Sequence, residues 1–218
     1  MSTKSKLIKE INLLGKIVKR KSEWKSSKRP FGYFENKDED NYIYEFFCYV
    51  SILKDLKTNY TIKYIPGNNK FPRNPAYKKN IPYFEITCKS SNTKYQVCAG
   101  TKIKIKSGDT IAPDISFQMG NSPIVPESKH IILIMDAKYT IKPESRLKFD
   151  IIKTFAMNAI DLKALLASRS NINFNKFLAF KSNCLLTNGL ASDKPAYCKL
   201  KKIKQIEKFK HSQLLIKG

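Results

Sequence analysis

The sequence predicts an α/β domain built on a central mixed β-sheet flanked by helices, and three observations predict it. Ile131, Ile132, Leu133, Ile134 and Met135 form an apolar run, which suits a strand buried on both faces. Residues 42–57 and 143–169 carry apolar side chains at helical spacing. Residues 83–88 and 95–106 read as two strands joined around Ser90 to Asn92, the pattern of a hairpin. A sheet of four or five strands is expected.

The chain has 218 residues, 42% of them hydrophobic, enough for the core of one domain. A basic N-terminal helix and loop is expected over 1–41, the core over 42–182, and a basic extension packed on it over 183–218. No apolar run approaches the ~20 residues of a membrane helix. The first 21 residues are too charged for a signal peptide, so a cytoplasmic protein with no membrane attachment is expected. Cys48, Cys88, Cys98, Cys184 and Cys198 make an odd set without paired spacing, which favours reduced, buried thiols over a zinc site or disulfides. His130 and His211 are the only histidines, which argues against a histidine metal cluster or a Ser-His-Asp relay.

Lysine and arginine number 41 against 18 acidic residues, a net charge of +23. Coding bias also enriches lysine, yet solubility does not require a charge this large. The balance points to a polyanionic partner, nucleic acid.

Taken in order, residues 4–21 present Leu7, Ile8, Ile11, Leu14, Ile17 and Val18 on one helix face and lysines on the other. Residues 22–40 read as a loop. In the helix over 42–57, Asp40 or Asn41 serves as N-cap. Glu45 interrupts its apolar surface, either answering the helix dipole or aimed inward as a functional carboxylate. A strand over 59–65 precedes a proline-rich, basic loop over 66–79. Lys102, Lys104 and Lys106 alternate with Ile103 and Ile105, as on a solvated strand edge. In the short strand over 111–117, Pro113 stands near the start; Asp114 and Ser116 share one face, Ile115 and Phe117 the other. Pro143 suits the first turn of a helix running to about Arg169. Strands over 174–180 and 196–202 and a helix over 205–216 complete the reading.

The apolar run ends in Asp136, Ala137 and Lys138. A two-residue period puts Asp136 and Lys138 on one face, about 6–7 Å apart along the strand. If the strand carrying Asp114 is a neighbour, the two aspartates face each other at about 5 Å. Crowded carboxylates raise one another's pKa, and a divalent cation removes the conflict. An all-oxygen set suits Mg²⁺ or Mn²⁺, with the Ala137 carbonyl as a further ligand. Lys138 stands where it could orient or deprotonate a water and neutralise charge on a phosphate. The structural alternatives are a buried Asp136–Lys138 ion pair without chemical duty and Asp114 as an Asx-type cap.

Pro113-Asp114 followed by Asp136-Ala137-Lys138 at the end of an apolar strand resembles the PD-(D/E)XK nucleases, with Glu45 matching an additional acidic position on the preceding helix. The resemblance covers about Tyr42 to Arg169. Lys138-Tyr139 and the helix with Asp150 and Lys153 are similar to the nuclease parts of modification-dependent restriction components and other defence nucleases. It implies a restriction-endonuclease-like fold and Mg²⁺-dependent, endonucleolytic hydrolysis of DNA phosphodiesters in a defence, mobile-element or repair context. By resemblance, Asp114 and Asp136 are metal ligands, Lys138 is the catalytic lysine and Glu45 a supporting ligand, with Glu85 or Asp109 as substitutes for Glu45. Lys153 is a phosphate contact, and Gln96 stands on a strand where some relatives have an acid. A homodimer, or a motor or sensor partner, is also implied. Two rival readings are a catalytically inactive nuclease-like subunit that binds DNA or RNA, and an RNA-associated basic protein whose acids are structural.

Overall fold

The computed structural model describes residues 40–68, 74–163, 172–175 and 181–209, together with Ser5, Ile8 and Lys9. Apolar residues around most of its circumference make α1 (Asp40–Leu56) a helix that is buried on nearly all sides. Asp40 in its first turn and Lys54 in its last complement the helix dipole. The remaining elements are β1 (Tyr60–Ile65), β2 (Tyr83–Cys88), β3 (Lys94–Ala99), β4 (Ile103–Lys104), β5 (Thr110–Ile111), β6 (Ile115–Met119), β7 (Ile131–Lys138), α2 (Phe149–Asp161), β8 (Cys184–Thr187), α3 (Pro195–Leu200) and β9 (Lys204–Ile206).

The central sheet is mixed, with seven strands in the order β1-β2-β3-β6-β7-β8-β9. From β1 to β7 every pairing is antiparallel, whereas β7–β8 and β8–β9 are parallel. Side chains divide by strand alternation. Phe84, Val97, Ile115, Phe117, Leu133, Met135, Ala137 and Leu186 join α1 in one core cluster. Ile134 and Leu185 face the other way and pack with Leu147 and with Ile152, Phe155 and Ala159 of α2. The apolar run of β7 is thus covered on both faces, as its composition requires.

Several expectations are corrected. Seven strands replace four or five, because β8 and β9 join the sheet; residues after 182 complete it rather than only packing on it. The 95–106 strand stops at Ala99, where Gly100 adopts a φ of 58° and leads the chain out of the sheet. Beyond it, β4 and β5 form a separate two-stranded hairpin. The 111–117 strand is split at Pro113, which has no N–H for a ladder. The helix expected from Pro143 begins at Phe149, since the Leu147 N–H is bonded to the Leu190 carbonyl at 3.1 Å instead of to its own helix. Residues 196–202 are not a strand: Pro195 opens α3, and the Lys201 N–H bonds to the Tyr197 carbonyl at 2.9 Å in the helical pattern. Lys204–Ile206 is a strand, not the start of a helix.

Of the expected N-terminal helix, Ser5, Ile8 and Lys9 are helical, and Ile8 packs against the core; the rest lies outside the described residues, as do residues 176–180 of an expected strand and the C-terminal segment after Phe209. Ile172 to Asn175 are not in a strand. All five cysteines are free, and four are buried. Cys88 is the exception: it is only half-buried, and hydrogen bonds from Ser90 and Ser91 bring its thiol down to about 6. Among the described residues no helix is long and apolar enough to cross a membrane.

Candidate active site

Because β6 and β7 run antiparallel with Ile115 opposite Met135, the residue before β6 lies beside the last turn of the β7 pleat. That residue is Asp114, and it meets Asp136. The two backbones have begun to part here, and side chains take over the ladder. The Asp114 N–H donates to Asp136 Oδ1 at 3.1 Å, and the Ala137 N–H donates to Asp114 Oδ2 at 2.8 Å. In a strand a residue's N–H and C=O point to the same side, so the Ala137 carbonyl faces this junction as well. Lys138 closes the group, its Nζ 3.3 Å from Asp114 Oδ2 and 3.4 Å from Asp136 Oδ2. The three side chains expected to converge do so, and each is mostly buried.

Glu45 stands one turn into α1 and lines the same cleft as Lys138. Its charge acts on both Asp114 and Lys138. Among the described residues no three His, Cys, Asp or Glu side chains gather closely enough to hold a metal between them. The oxygen donors brought together are therefore the two aspartates and the main chain of Ala137, with Glu45 in an outer position.

Electrostatics set this group apart from an ordinary ion pair. Burial, then the Asp136 carboxylate and the charge of Glu45, push the Asp114 carboxyl up to about 8, against the pull of Lys138 and the Ala137 N–H. One ammonium does not satisfy three acids, so the cluster holds a proton to higher pH than separate carboxyls would. Burial works against the Lys138 ammonium, but Asp136 and Asp114 outweigh it and hold the group charged, above the ordinary lysine range. A lysine so held can orient a water and neutralise a phosphate, but it is a poor base. Of the two roles expected for Lys138, this state supports only the first.

The cleft beside the cluster has a volume of about 770 Å³. One wall is the start of α1, with Asn41 and Glu45; the other is the 139–148 loop, which supplies Lys142, Arg146 and Lys148. That loop is fixed by the turn after β8, the parallel neighbour of β7. Asn188 accepts from the Thr140 N–H at 2.7 Å and returns its own amide N–H to the Thr140 carbonyl at 2.8 Å. Gly189 is required beneath it, as a Cβ there would come within 2.6 Å of the Ser145 carbonyl and 2.7 Å of Thr140 Oγ1. Sequence reading missed these residues. The Asn-Gly pair after a short apolar run was the available signal, and it marks a turn without saying what the turn will hold.

Four other candidates stand elsewhere. Gln96 pairs in register with Gln118, four residues and roughly 13 Å along β6 from Asp114. Its carbonyl oxygen accepts from Lys78, its amide donates to the Gly120 carbonyl at 2.8 Å, and the whole group is buried. Gln96 thus solvates a buried ammonium that is also held by the Ser122 carbonyl at 3.0 Å and the Ser122 hydroxyl at 3.2 Å. Lys153 is exposed on α2, 2.7 Å from Asp150, and is not in the cleft lining. Glu85 pairs with Lys94 at 3.5 Å, and Asp109 accepts from Ser107 at 2.9 Å in the exposed β4–β5 turn.

Comparison with protein-family models, with curated proteins and with solved structures gave no match.

Proposed function

We propose that this chain is a metal-dependent nuclease of the PD-(D/E)XK type, with a restriction-endonuclease-like core, that hydrolyses phosphodiester bonds in DNA. The observation that carries the reading is the convergence of Asp114, Asp136 and Lys138 at one strand junction, a spot with surplus negative charge on the edge of a cleft lined by cations. The acidic surplus fits a divalent cation, and the basic lining fits a polyanion. The donor set is hard oxygen throughout, which suits Mg²⁺ or Mn²⁺. Asp114, Asp136 and the Ala137 carbonyl would hold the ion, with Glu45 as outer support. Bound there, such an ion supplies Lewis-acid stabilisation and a more acidic water.

The chain's own residues account for the rest of the chemistry. The Ala137 N–H holds Asp114 Oδ2 in place, and the Asp114 N–H does the same for Asp136 Oδ1, so both carboxylates are preorganised by backbone. Lys138 brings a fixed positive charge to the position where a scissile phosphate would gain negative charge. Lys142, Arg146 and Lys148 supply sequence-independent phosphate contacts along the cleft.

One observation favours a second reading, a nuclease-like subunit that binds nucleic acid without cutting it: among the described residues no third acidic side chain closes on the two aspartates. A plasmid assay separates the two. Supercoiled, linear and single-stranded DNA are incubated with Mg²⁺, Mn²⁺ or EDTA, using wild type, Asp136→Ala and Lys138→Ala. The nuclease reading expects metal-dependent cutting that falls by about 10²–10³-fold or more in each variant. A folded wild type that binds DNA yet leaves every substrate intact with both metals would establish the second reading instead.

A further inference from the structure

Ile141 is 86% exposed, the most exposed large hydrophobic residue among those described. It belongs to neither core cluster, yet it lines the cleft three residues beyond Lys138. Single exposed apolar side chains are common on protein surfaces. This one differs in how it is mounted. Thr140, immediately before it, has its N–H and its carbonyl both bonded to Asn188. The Thr140 hydroxyl donates to the Lys142 carbonyl at 3.0 Å, immediately after it. Further along, the Leu190 N–H holds the Ser145 carbonyl at 2.9 Å. An aliphatic side chain is thus projected from a loop held on both sides, and a β-branched one has few rotamers to lose.

The neighbours say what it meets. Lys138, Lys142, Arg146 and Lys148 line the same cleft and would hold phosphates on either side of the isoleucine. A ligand whose charged backbone lies on those cations offers Ile141 the apolar faces of its bases. Aliphatic wedges of this kind enter base steps and partly unstack them.

We propose that Ile141 is a wedge that enters the base stack of duplex DNA beside the scissile phosphate. Resting on the nuclease reading, this assigns a specificity-determining residue to the same cleft. Opening the stack locally lets the phosphate approach the mostly buried Asp114–Asp136–Lys138 centre. Pyrimidine–purine steps, which unstack most readily, are then the favoured sites, and the preference resides in Ile141 rather than in hydrogen bonds to base edges.

The test uses full-length protein and duplexes carrying 2-aminopurine at a TA step, with Ca²⁺ in place of Mg²⁺, alongside mapping of cut sites on plasmid with Mg²⁺. Wild type and Ile141→Leu should raise 2-aminopurine fluorescence several-fold at saturation and cut preferentially at pyrimidine–purine steps. Ile141→Ser should lose the rise and the step preference while its DNA affinity changes by less than about tenfold, since phosphate contacts carry most of that affinity. Bound wild type without a fluorescence rise overturns the wedge and leaves the nuclease reading standing. An undiminished rise in Ile141→Ser also overturns it, as does a dimer that Ile141→Ser dissociates in sedimentation, which would make the residue a contact between chains. No DNA binding by wild type overturns both readings.

Discussion

Replacing Asp114 by Asn removes one titrating oxygen from the centre and leaves a side chain of the same size. The Asp114 carboxyl, pushed up to about 8 by burial, Asp136 and Glu45, keeps its proton to higher pH than an ordinary carboxyl. A metal ion takes the carboxylate and not the acid. Binding of Mn²⁺ at neutral pH should therefore release about one proton. Its apparent affinity should rise by about tenfold or more between pH 6 and pH 8, following the ionised fraction, and level off at higher pH. The groups facing this carboxyl are Asp136, Lys138, Glu45 and the buried Cys48 thiol. Stability of the metal-free protein runs the other way. A carboxyl that holds its proton more tightly when folded contributes stability that is complete below about pH 4 and is lost as pH rises through about 8. Lys138, also raised, retains its contribution until pH passes the ordinary lysine range. Metal-free protein should thus lose stability from pH 6 to pH 9, and Mn²⁺ should restore it most at the alkaline end. Calorimetric Mn²⁺ titrations in two buffers of different ionisation enthalpy count the proton, and thermal melts in EDTA follow the stability. Asp114→Asn should release no proton and flatten both profiles. A wild-type Mn²⁺ affinity that does not change from pH 6 to pH 8 would refute the reasoning.

Two further predictions follow from the surrounding structure. Gln96→Ala leaves the buried Lys78 ammonium short of an acceptor and should cost about 1–3 kcal/mol in denaturant melts. Its Mn²⁺ affinity should be unchanged; a weakened affinity would place Gln96 back at the metal centre. Gly189→Ala drives a methyl into the Ser145 carbonyl and Thr140 Oγ1 and should also cost about 1–3 kcal/mol. It should weaken DNA binding by moving the loop that carries Lys142 and Arg146, and an unaltered melting temperature with unaltered DNA affinity would show that the loop is not clamped in this way.

How far the sequence could be read varied with where the information lay. β7 was legible because five consecutive apolar residues have few uses other than a strand covered on both faces, and α1 because its apolar residues run nearly all round. Asp114, Asp136 and Lys138 were legible as a set, since a charged pair ending such a strand requires a partner. What could not be read was information held by distant residues. The α2 start is decided by Leu190, which takes the Leu147 N–H, so the proline at 143 opens a loop instead of a helix. Cys184 to Thr187 is too short a run to announce a strand, and it becomes one because β7 offers it an unpaired edge. Residues 196–202 read as a strand, but Pro195 opens a helix there, and only Lys204–Ile206 joins the sheet. Gln96 looked chemical from its position on a strand, but its duty was set by Lys78, eighteen residues earlier and on the other side of β2 in the chain.

The seam in the sheet, antiparallel on one side of β7 and parallel on the other, also orders events in time. The meander from β1 to β7, with Asp114, Asp136 and Lys138 already in it, is complete once the chain reaches Lys138. The partner that covers the other edge of β7, and the Asn188–Gly189 clamp that steadies the cleft, arrive some fifty residues later in synthesis. At ordinary translation rates this interval is on the order of 2–10 s. Through it the growing chain presents the bare, apolar edge of β7 beside an unsupported loop. The cleft takes its final shape only once β8 has joined β7 and Asn188 has bonded Thr140.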